Sequence, residues 1–159
     1  RLLLSAHGLP KSVVDDGDPY QNHVRQTCQA IVAGLNMAKL DWLDCYQSRV
    51  GPMEWIGPST EDEIRRAGTD GKAVVIAPIA FVTEHSETLV ELDIEYGALA
   101  KDVGVSTYLR VGAIGTEPAF IRALGKLVRD ALNLDPDLPV AICQGGHECL
   151  AHDVVAGKS

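Results

Sequence analysis

The stretch Leu2-Leu3-Leu4-Ser5-Ala6-His7-Gly8-Leu9-Pro10 begins an alternation of predicted strands and helices that continues along the chain. Its first five residues form a short apolar run, which predicts a strand buried on both faces. Glycines and prolines follow and predict a loop over residues 7–19: Gly8, Pro10, Gly17 and Pro19. Asp18 before Pro19 is typical of a helix start, and apolar residues at helical spacing predict a helix over 20–35.

Strands and helices continue to alternate after this first unit. The predicted strands are 42–46, 73–77 and 106–111, and the predicted helices are 60–68, 84–100 and 116–132. Thr60 and Glu63 form a capping box at the start of the second helix. This order predicts an α/β fold: a four-stranded parallel sheet with helices on both faces. Such sheets bind ligands beyond the carboxyl ends of their strands, where the loops begin at His7, Gln47, Pro78 and Gly112.

Composition narrows the class of protein. The 159 residues include 14 Lys and Arg against 22 Asp and Glu, a net charge of −8, and 46% are hydrophobic. This is a globular composition, and an acidic chain without basic clusters argues against nucleic acid as a partner. The apolar runs are too short to span a bilayer. Four cysteines lack the dense pattern of a secreted scaffold, so we expect reduced thiols and a cytoplasmic location. Because the chain begins at Arg1 without Met, we expect it to be cut from a longer protein.

His7 directly follows the first strand. A neutral imidazole at a strand end is a candidate base or metal ligand. The alternative is a histidine that hydrogen-bonds within a tight turn.

Three carboxylates, Glu87, Glu91 and Glu95, recur at every fourth position of the predicted helix 84–100. On an α-helix they form one stripe, and a π-bulge would shift their register. A solvated acidic face is one interpretation. A stripe turned inward would instead suit a loosely held divalent metal or a proton relay.

The loop Gln47-Ser48-Arg49-Val50-Gly51-Pro52-Met53-Glu54-Trp55-Ile56-Gly57-Pro58 combines an aromatic ring, a thioether, a hydroxyl and a guanidinium. It is a candidate wall for a flat apolar pocket, with Arg49 or Ser48 placed to meet carboxylates at the rim. The alternative is ordinary loop packing by Trp55.

Two cysteines and two histidines lie in the tail, residues 133–159: Cys143, His147, Cys149 and His152. Their spacing matches no standard zinc pattern. Incidental thiols are one interpretation, and an iron–sulfur cluster with dispersed ligands is the other.

These segments together resemble ferrochelatase, the terminal enzyme of haem synthesis, of the bacterial type. Residues 2–10 with 16–20 are similar to the family's signature, residues 47–58 to its second loop, and residues 78–96 to its third. The resemblance extends over residues 1–132 in the family's order.

The resemblance implies a Rossmann-like three-layer domain, one of the two similar domains of the chelatase fold. Residues 1–132 would be the C-terminal domain, and the N-terminal domain, which supplies much of the porphyrin pocket, is absent from this chain. His7 and Glu87 would be the catalytic pair, and the metal-binding set would be His7, Glu87, Glu91 and Glu95. Ser48, Met53 and Trp55 would contact the porphyrin. Some members carry a [2Fe–2S] cluster near the C-terminus, which the tail cysteines would match.

The implied reaction inserts ferrous iron into protoporphyrin IX, or a related porphyrin such as coproporphyrin III, and releases two protons. Porphyrin and ferrous iron would be the partners, with no organic cofactor. Carboxylates hold Fe²⁺ loosely enough to pass it on, and a neutral imidazole can accept a pyrrole proton. A cobalt chelatase and a non-catalytic porphyrin- or metal-binding half are the alternatives. Peripheral membrane contact also stays open, although no basic amphipathic helix indicates it.

Overall fold

The computed structural model describes residues 1–132 and consists of four strands, six α-helices and one π-helix. The strands are β1 (Leu2–His7), β2 (Trp42–Gln47), β3 (Val74–Pro78) and β4 (Tyr108–Arg110). The helices are α1 (Lys11–Asp15), α2 (Tyr20–Leu35), α3 (Thr60–Thr69), α4 (Ser86–Leu89), the π-helix (Glu91–Glu95), α5 (Tyr96–Asp102) and α6 (Pro118–Leu132).

The strands form one parallel sheet in the order β2-β1-β3-β4. β1 is central, and its last residue, His7, pairs with Gln47 at the end of β2. All strands run the same way, so their carboxyl ends meet at one edge of the sheet. The predicted α/β class with a four-stranded parallel sheet is confirmed.

Each face of the sheet carries its own apolar core, which gives three layers. On one face, Leu4 and Tyr46 pack with Val24 and Cys28 of α2. The other face packs against α3, the π-helix and α5; its core comprises Leu3, Cys45, Ile64, Ala67, Val74, Ile76, Leu92, Tyr96 and Ala100. Leu3 and Leu4 point to opposite faces of the sheet, and β1 is buried on both, which explains the apolar run at its start.

Three predictions of local structure are corrected. The predicted loop 7–19 contains a five-residue helix, α1. Helix α3 is capped one residue earlier than predicted, since Ser59 Oγ accepts from the Asp62 N–H at 3.5 Å. The predicted continuous helix 84–100 is three segments, α4, the π-helix and α5.

The chain divides into two compact units, Arg1–Gly115 and Thr116–Ser159. The first holds the whole sheet; of the second, the structure describes α6, a helix as predicted. The prediction of one domain over residues 1–132 stays a prediction, and the predicted tail lies outside the described residues. Within residues 1–132, no helix is long and apolar enough to cross a membrane.

Candidate functional site

His7 ends the central strand with a defined imidazole orientation. Its Nδ1 lies 2.6 Å from the carbonyl oxygen of Gly8. A carbonyl can only accept, so Nδ1 carries the hydrogen and Nε2 of the neutral ring keeps a free lone pair. The backbone carbonyl of His7 is held in turn by the Tyr20 hydroxyl, which donates to it at 3.0 Å.

Glu87 faces this imidazole from the first turn of α4. Its Oε1 lies 3.6 Å from Nε2 of His7, and the two side chains are 38% and 42% exposed. The first turn is fixed by a cap at His85, whose Nδ1 accepts the Glu87 N–H at 3.2 Å. Thr88 Oγ1 accepts the His85 N–H at 2.9 Å, which completes the capping box. The structure therefore brings together the two residues that the family resemblance implies as a catalytic pair.

Glu91 is held by four donors, which come from the end of β2, the residue after it and the start of α5. The Ser48 N–H and the Tyr96 hydroxyl donate to Oε1 at 2.6 and 2.8 Å. The Ser48 hydroxyl and the Gln47 carboxamide donate to Oε2 at 2.5 and 3.0 Å. Burial and the negative charge of Glu91 raise the pKa of Tyr96, so its hydroxyl stays a proton donor. A carboxylate with this many donors is fixed in place.

The contact between Glu91 and Tyr96 depends on the π-helix. The Glu95 N–H donates to the Val90 carbonyl at 3.0 Å, five residues back rather than four. In an α-helix, residues three or four apart are neighbours, whereas this wider turn brings residues five apart together. The register of the predicted carboxylate stripe therefore shifts at Glu91.

One cavity of about 530 Å³ joins these groups. Of the predicted site residues, it is lined by His7, Ser48, Trp55, Glu87, Glu91 and Glu95. Met53 is not part of this lining, and it is 52% exposed. Within residues 1–132, no three His, Cys, Asp or Glu side chains converge into a ready-made metal cage. The carboxylates thus share a cavity without forming a closed metal site.

Gly8 lets the two site loops approach each other. A Cβ atom there would lie 3.0 Å from the Gln47 carbonyl oxygen, 3.1 Å from Arg49 Cγ and 3.2 Å from Trp55 Cε3. The Gly8 N–H also donates to that same carbonyl at 2.8 Å. The loop after β1 therefore packs directly on the loop that carries the pocket aromatic.

Glu84, three residues before Glu87, has a carboxyl group whose pKa lies well below its ordinary value. The Thr88 hydroxyl, the Ala113 N–H and the Arg110 guanidinium together lower the pKa of Glu84 to about 2. The carboxylate is therefore ionised at neutral pH and ties the segment before α4 to the chain after β4.

Comparison with known proteins places the chain in a family. The family model described as Ferrochelatase matches residues 1–132. The chain belongs to the ferrochelatase family. The resemblance stated from the sequence is thereby confirmed.

Bacterial ferrochelatases match most of the chain. It is 57% identical to the ferrochelatase of Caulobacter vibrioides (strain NA1000 / CB15N) over 143 residues, 90% of this chain and 41% of the relative. It is 52% identical to that of Phenylobacterium zucineum (strain HLK1) over 149 residues, 92% of this chain and 43% of the relative. The chain thus spans about two fifths of the length of these ferrochelatases.

A solved structure shares the fold of this ferrochelatase-family chain. It is the cobalamin (vitamin B12) biosynthesis CbiX protein from Marinobacter aquaeolei VT8, with a TM-score of 0.54. The match covers 82% of this chain and 95% of that chain at 18% sequence identity, so it speaks for the fold alone.

Some predictions for this ferrochelatase-family chain lie outside the described residues. The tail residues considered for an iron–sulfur cluster do so: Cys143, His147, Cys149 and His152. Sequence reasoning also missed two groups of the site, Gln47 and Tyr96. Gln47 was assigned to the first position of the predicted loop 47–58, so no sequence signal indicated that its amide is buried.

Proposed function

We propose that the complete protein carrying this chain inserts ferrous iron into protoporphyrin IX or a related porphyrin such as coproporphyrin III, the last step of haem biosynthesis. The observation that carries the proposal is the 3.6 Å approach of His7 Nε2 to Glu87 Oε1 in the acidic cavity. Membership of the ferrochelatase family supports the reaction class.

His7 is the proposed base for a pyrrole proton. With Nδ1–H bonded to the Gly8 carbonyl, the lone pair of Nε2 is free to accept that proton. The imidazolium that forms then lies next to the Glu87 carboxylate, which stabilises its positive charge. Glu87 accepts the second proton or passes the metal to the porphyrin nitrogens.

The remaining carboxylates provide a proposed path for Fe²⁺. Glu95 is exposed and lines the same cavity as Glu87, so a hydrated ion meets it from solvent. Hard oxygen ligands in an open arrangement bind Fe²⁺ weakly, which suits an ion that must be released to the macrocycle. The absence of a three-ligand cage within residues 1–132 fits a metal that is substrate in transit. Glu91 belongs to the predicted path, although both of its oxygens are already hydrogen-bonded.

The loop after β2 is the proposed porphyrin wall. Trp55 and Val50 line the cavity and offer apolar surface to a flat ring. The Ser48 hydroxyl is committed to Glu91, so exposed Arg49 is the proposed partner for the anionic substituents of the ring. The N-terminal domain of the complete protein would close the other side.

Metal insertion by the complete protein tests the proposal. Porphyrin fluorescence is followed after addition of Fe²⁺, with parallel reactions in Co²⁺ to test the cobalt alternative. We expect fluorescence loss with Fe²⁺, and we expect His7→Ala and Glu87→Gln to abolish it, since a positioned acid–base group contributes about 10²–10⁴ in rate. His23→Ala, an exposed histidine on α2, is the matched control and keeps wild-type turnover. Near-normal insertion by a folded His7→Ala/Glu87→Gln variant contradicts these roles, and porphyrin binding without any response to Fe²⁺ indicates the non-catalytic alternative.

A further inference from the structure

Gln47, the last residue of β2, carries a fully buried carboxamide beneath the proposed site. The residue is 0% exposed and is not part of the cavity lining. Its Nε2 donates to the backbone carbonyl of Glu87 at 2.7 Å and to Glu91 Oε2 at 3.0 Å. Its Oε1 accepts from the Ser5 hydroxyl at 2.9 Å. Both amide protons and the carbonyl are thus used, as buried polar groups require.

The orientation of this amide is set from both ends. A carbonyl and a carboxylate only accept, so the NH₂ group must face Glu87 and Glu91. The Ser5 hydroxyl donates its single proton to Gln47. Its oxygen lies 2.8 Å from the Thr60 hydroxyl, so Thr60 must be the donor of that hydrogen bond. A directed chain of hydrogen bonds runs from Thr60 through Ser5 to Gln47. Ser5 and Thr60 are also 0% exposed, so water does not compete with this chain.

The two groups that Gln47 holds lie on either side of the change from α4 to the π-helix. Glu87 is in α4, and Glu91 is the first residue of the π-helix. The Val90 carbonyl between them accepts from both the Ile94 and the Glu95 N–H, each at 3.0 Å, so the backbone register is shared there. The two N–H groups of the Gln47 carboxamide therefore fix residues 87–91, a segment whose own backbone hydrogen bonds allow either an α-helical or a π-helical register.

We propose that Gln47 is a positioning residue for metal insertion: its carboxamide sets the placement of Glu87 opposite His7 and of Glu91 behind it. This inference rests on the proposed function. Gln47 acts through the peptide of Glu87 and the carboxylate of Glu91 rather than on substrate. Loss of the amide lets α4 shift, and a shift on the order of 1 Å at a reacting group costs about a hundredfold in rate.

The test uses Gln47→Met in the complete protein, because Met has similar length and no hydrogen-bonding amide. We expect kcat for Fe²⁺ insertion to fall at least about tenfold, with KM for porphyrin changed less than about threefold, since positioning affects the chemical step. Gln29→Met, the same change on the exposed face of α2, is the control and leaves both parameters as in the wild type. A folded Gln47→Met variant with wild-type kcat overturns the proposal.

Ser5→Ala is the second variant, because it removes only the hydroxyl that orients the amide. We expect kcat to fall about threefold in the wild-type background and not at all in the Gln47→Met background, since coupled residues are non-additive. Equal effects in both backgrounds overturn the proposed route through Gln47. Should Gln47→Met fail to fold, Ser5→Ala still decides: an unchanged kcat overturns the proposal.

Hydrogen exchange separates this inference from the proposed function. Amide exchange of residues 86–91 is expected to accelerate in Gln47→Met and Ser5→Ala, whether or not the protein inserts metal. A wild-type protein that does not insert Fe²⁺ would refute the proposed function. Unchanged amide exchange of residues 86–91 in both variants would refute the positioning role of Gln47.

Discussion

Arg110 at the end of β4 holds Asp93 of the π-helix through two parallel hydrogen bonds. Nε donates to Oδ1 at 2.5 Å and Nη2 donates to Oδ2 at 2.9 Å, while Nη1 of the same guanidinium donates to both oxygens of Glu84 at 3.0 Å. A planar guanidinium matches two carboxylates in a way that an ammonium does not. The sheet edge is thus tied to both ends of the segment that carries the proposed catalytic carboxylate.

We expect Arg110→Lys to lower the free energy of unfolding by on the order of 1 kcal/mol, because one ammonium cannot reproduce the two-nitrogen contact with Asp93 together with the Nη1 contact with Glu84. Urea denaturation of the complete protein measures this. Lys11→Ala removes an exposed pair with Asp15 and should leave the free energy of unfolding close to that of the wild type. Losses of equal size in the two variants would contradict the bridging role of Arg110.

The pKa of Glu84 predicts a specific dependence of stability on pH. Its carboxyl has a pKa of about 2 in the folded protein, below the ordinary 4.5, so the ionised form stabilises the folded state above about pH 4.5. This stabilisation is lost as the pH falls from 4.5 toward 2. We expect Glu84→Gln to be less stable than wild type at pH 7, and the gap to narrow below pH 4.5 in pH-dependent urea melts. A gap that stays constant down to pH 3 would be inconsistent with a paired Glu84.

Replacing glycine by alanine should change the stability in opposite directions at two positions, Gly8 and Gly34. Gly8→Ala places a Cβ within 3.0–3.2 Å of atoms of Gln47, Arg49 and Trp55, and we expect a loss of about 1–3 kcal/mol from overpacking. Gly34→Ala lies in α2 with nothing within 4 Å of the new Cβ, and we expect a gain of roughly 0.5–1 kcal/mol from helix propensity. Thermal unfolding of both variants checks the signs, and a stabilising Gly8→Ala would show that the loops do not need this close approach.

The buried thiols of Cys28 and Cys45 should not react with alkylating reagents in the folded protein. Burial raises the pKa of Cys45 to about 12 and that of Cys28 to about 11, and both side chains are 0% exposed. The raised pKa keeps both thiols protonated at pH 8, and the thiolate is the reactive form. Iodoacetamide labelling read by peptide mass spectrometry should leave both unmodified in native protein and modify both in urea. Rapid native labelling of Cys45 would indicate that its core opens readily.

The positions of the four strands were predictable because short, mainly apolar runs alternate with segments whose apolar residues recur at helical spacing. The run at Leu2 is typical, and the structure extends it by one residue to His7. Helix α1 was not predictable in the same way, because five residues between Pro10 and Gly17 hold too little periodicity. Its position depends on tertiary contacts, such as the Lys11 N–H donating to the Glu54 carbonyl at 2.8 Å.

The residue types of the candidate site were predictable, but the helical register of the segment that carries its carboxylates was not. The strand-end rule indicated His7, and the acidic spacing indicated a carboxylate stripe that includes Glu87. Only the family resemblance paired Glu87 with His7. The π-helix follows from partners outside the segment, including the Tyr108 hydroxyl, which donates to the Leu92 carbonyl at 2.8 Å. The role of Gln47 depends on a strand position that the sequence assigned to a loop, so its inward-facing amide could not be anticipated.

The central place of β1 makes the register of the sheet a requirement for the proposed site. Its register is specified twice, by Leu4 opposite Asp44 on one side and Ala77 on the other. A slip of one residue would turn every side chain of the strand to the opposite layer and send the imidazole away from its partner. A molecule with such a slip would therefore lack the proposed catalytic pair.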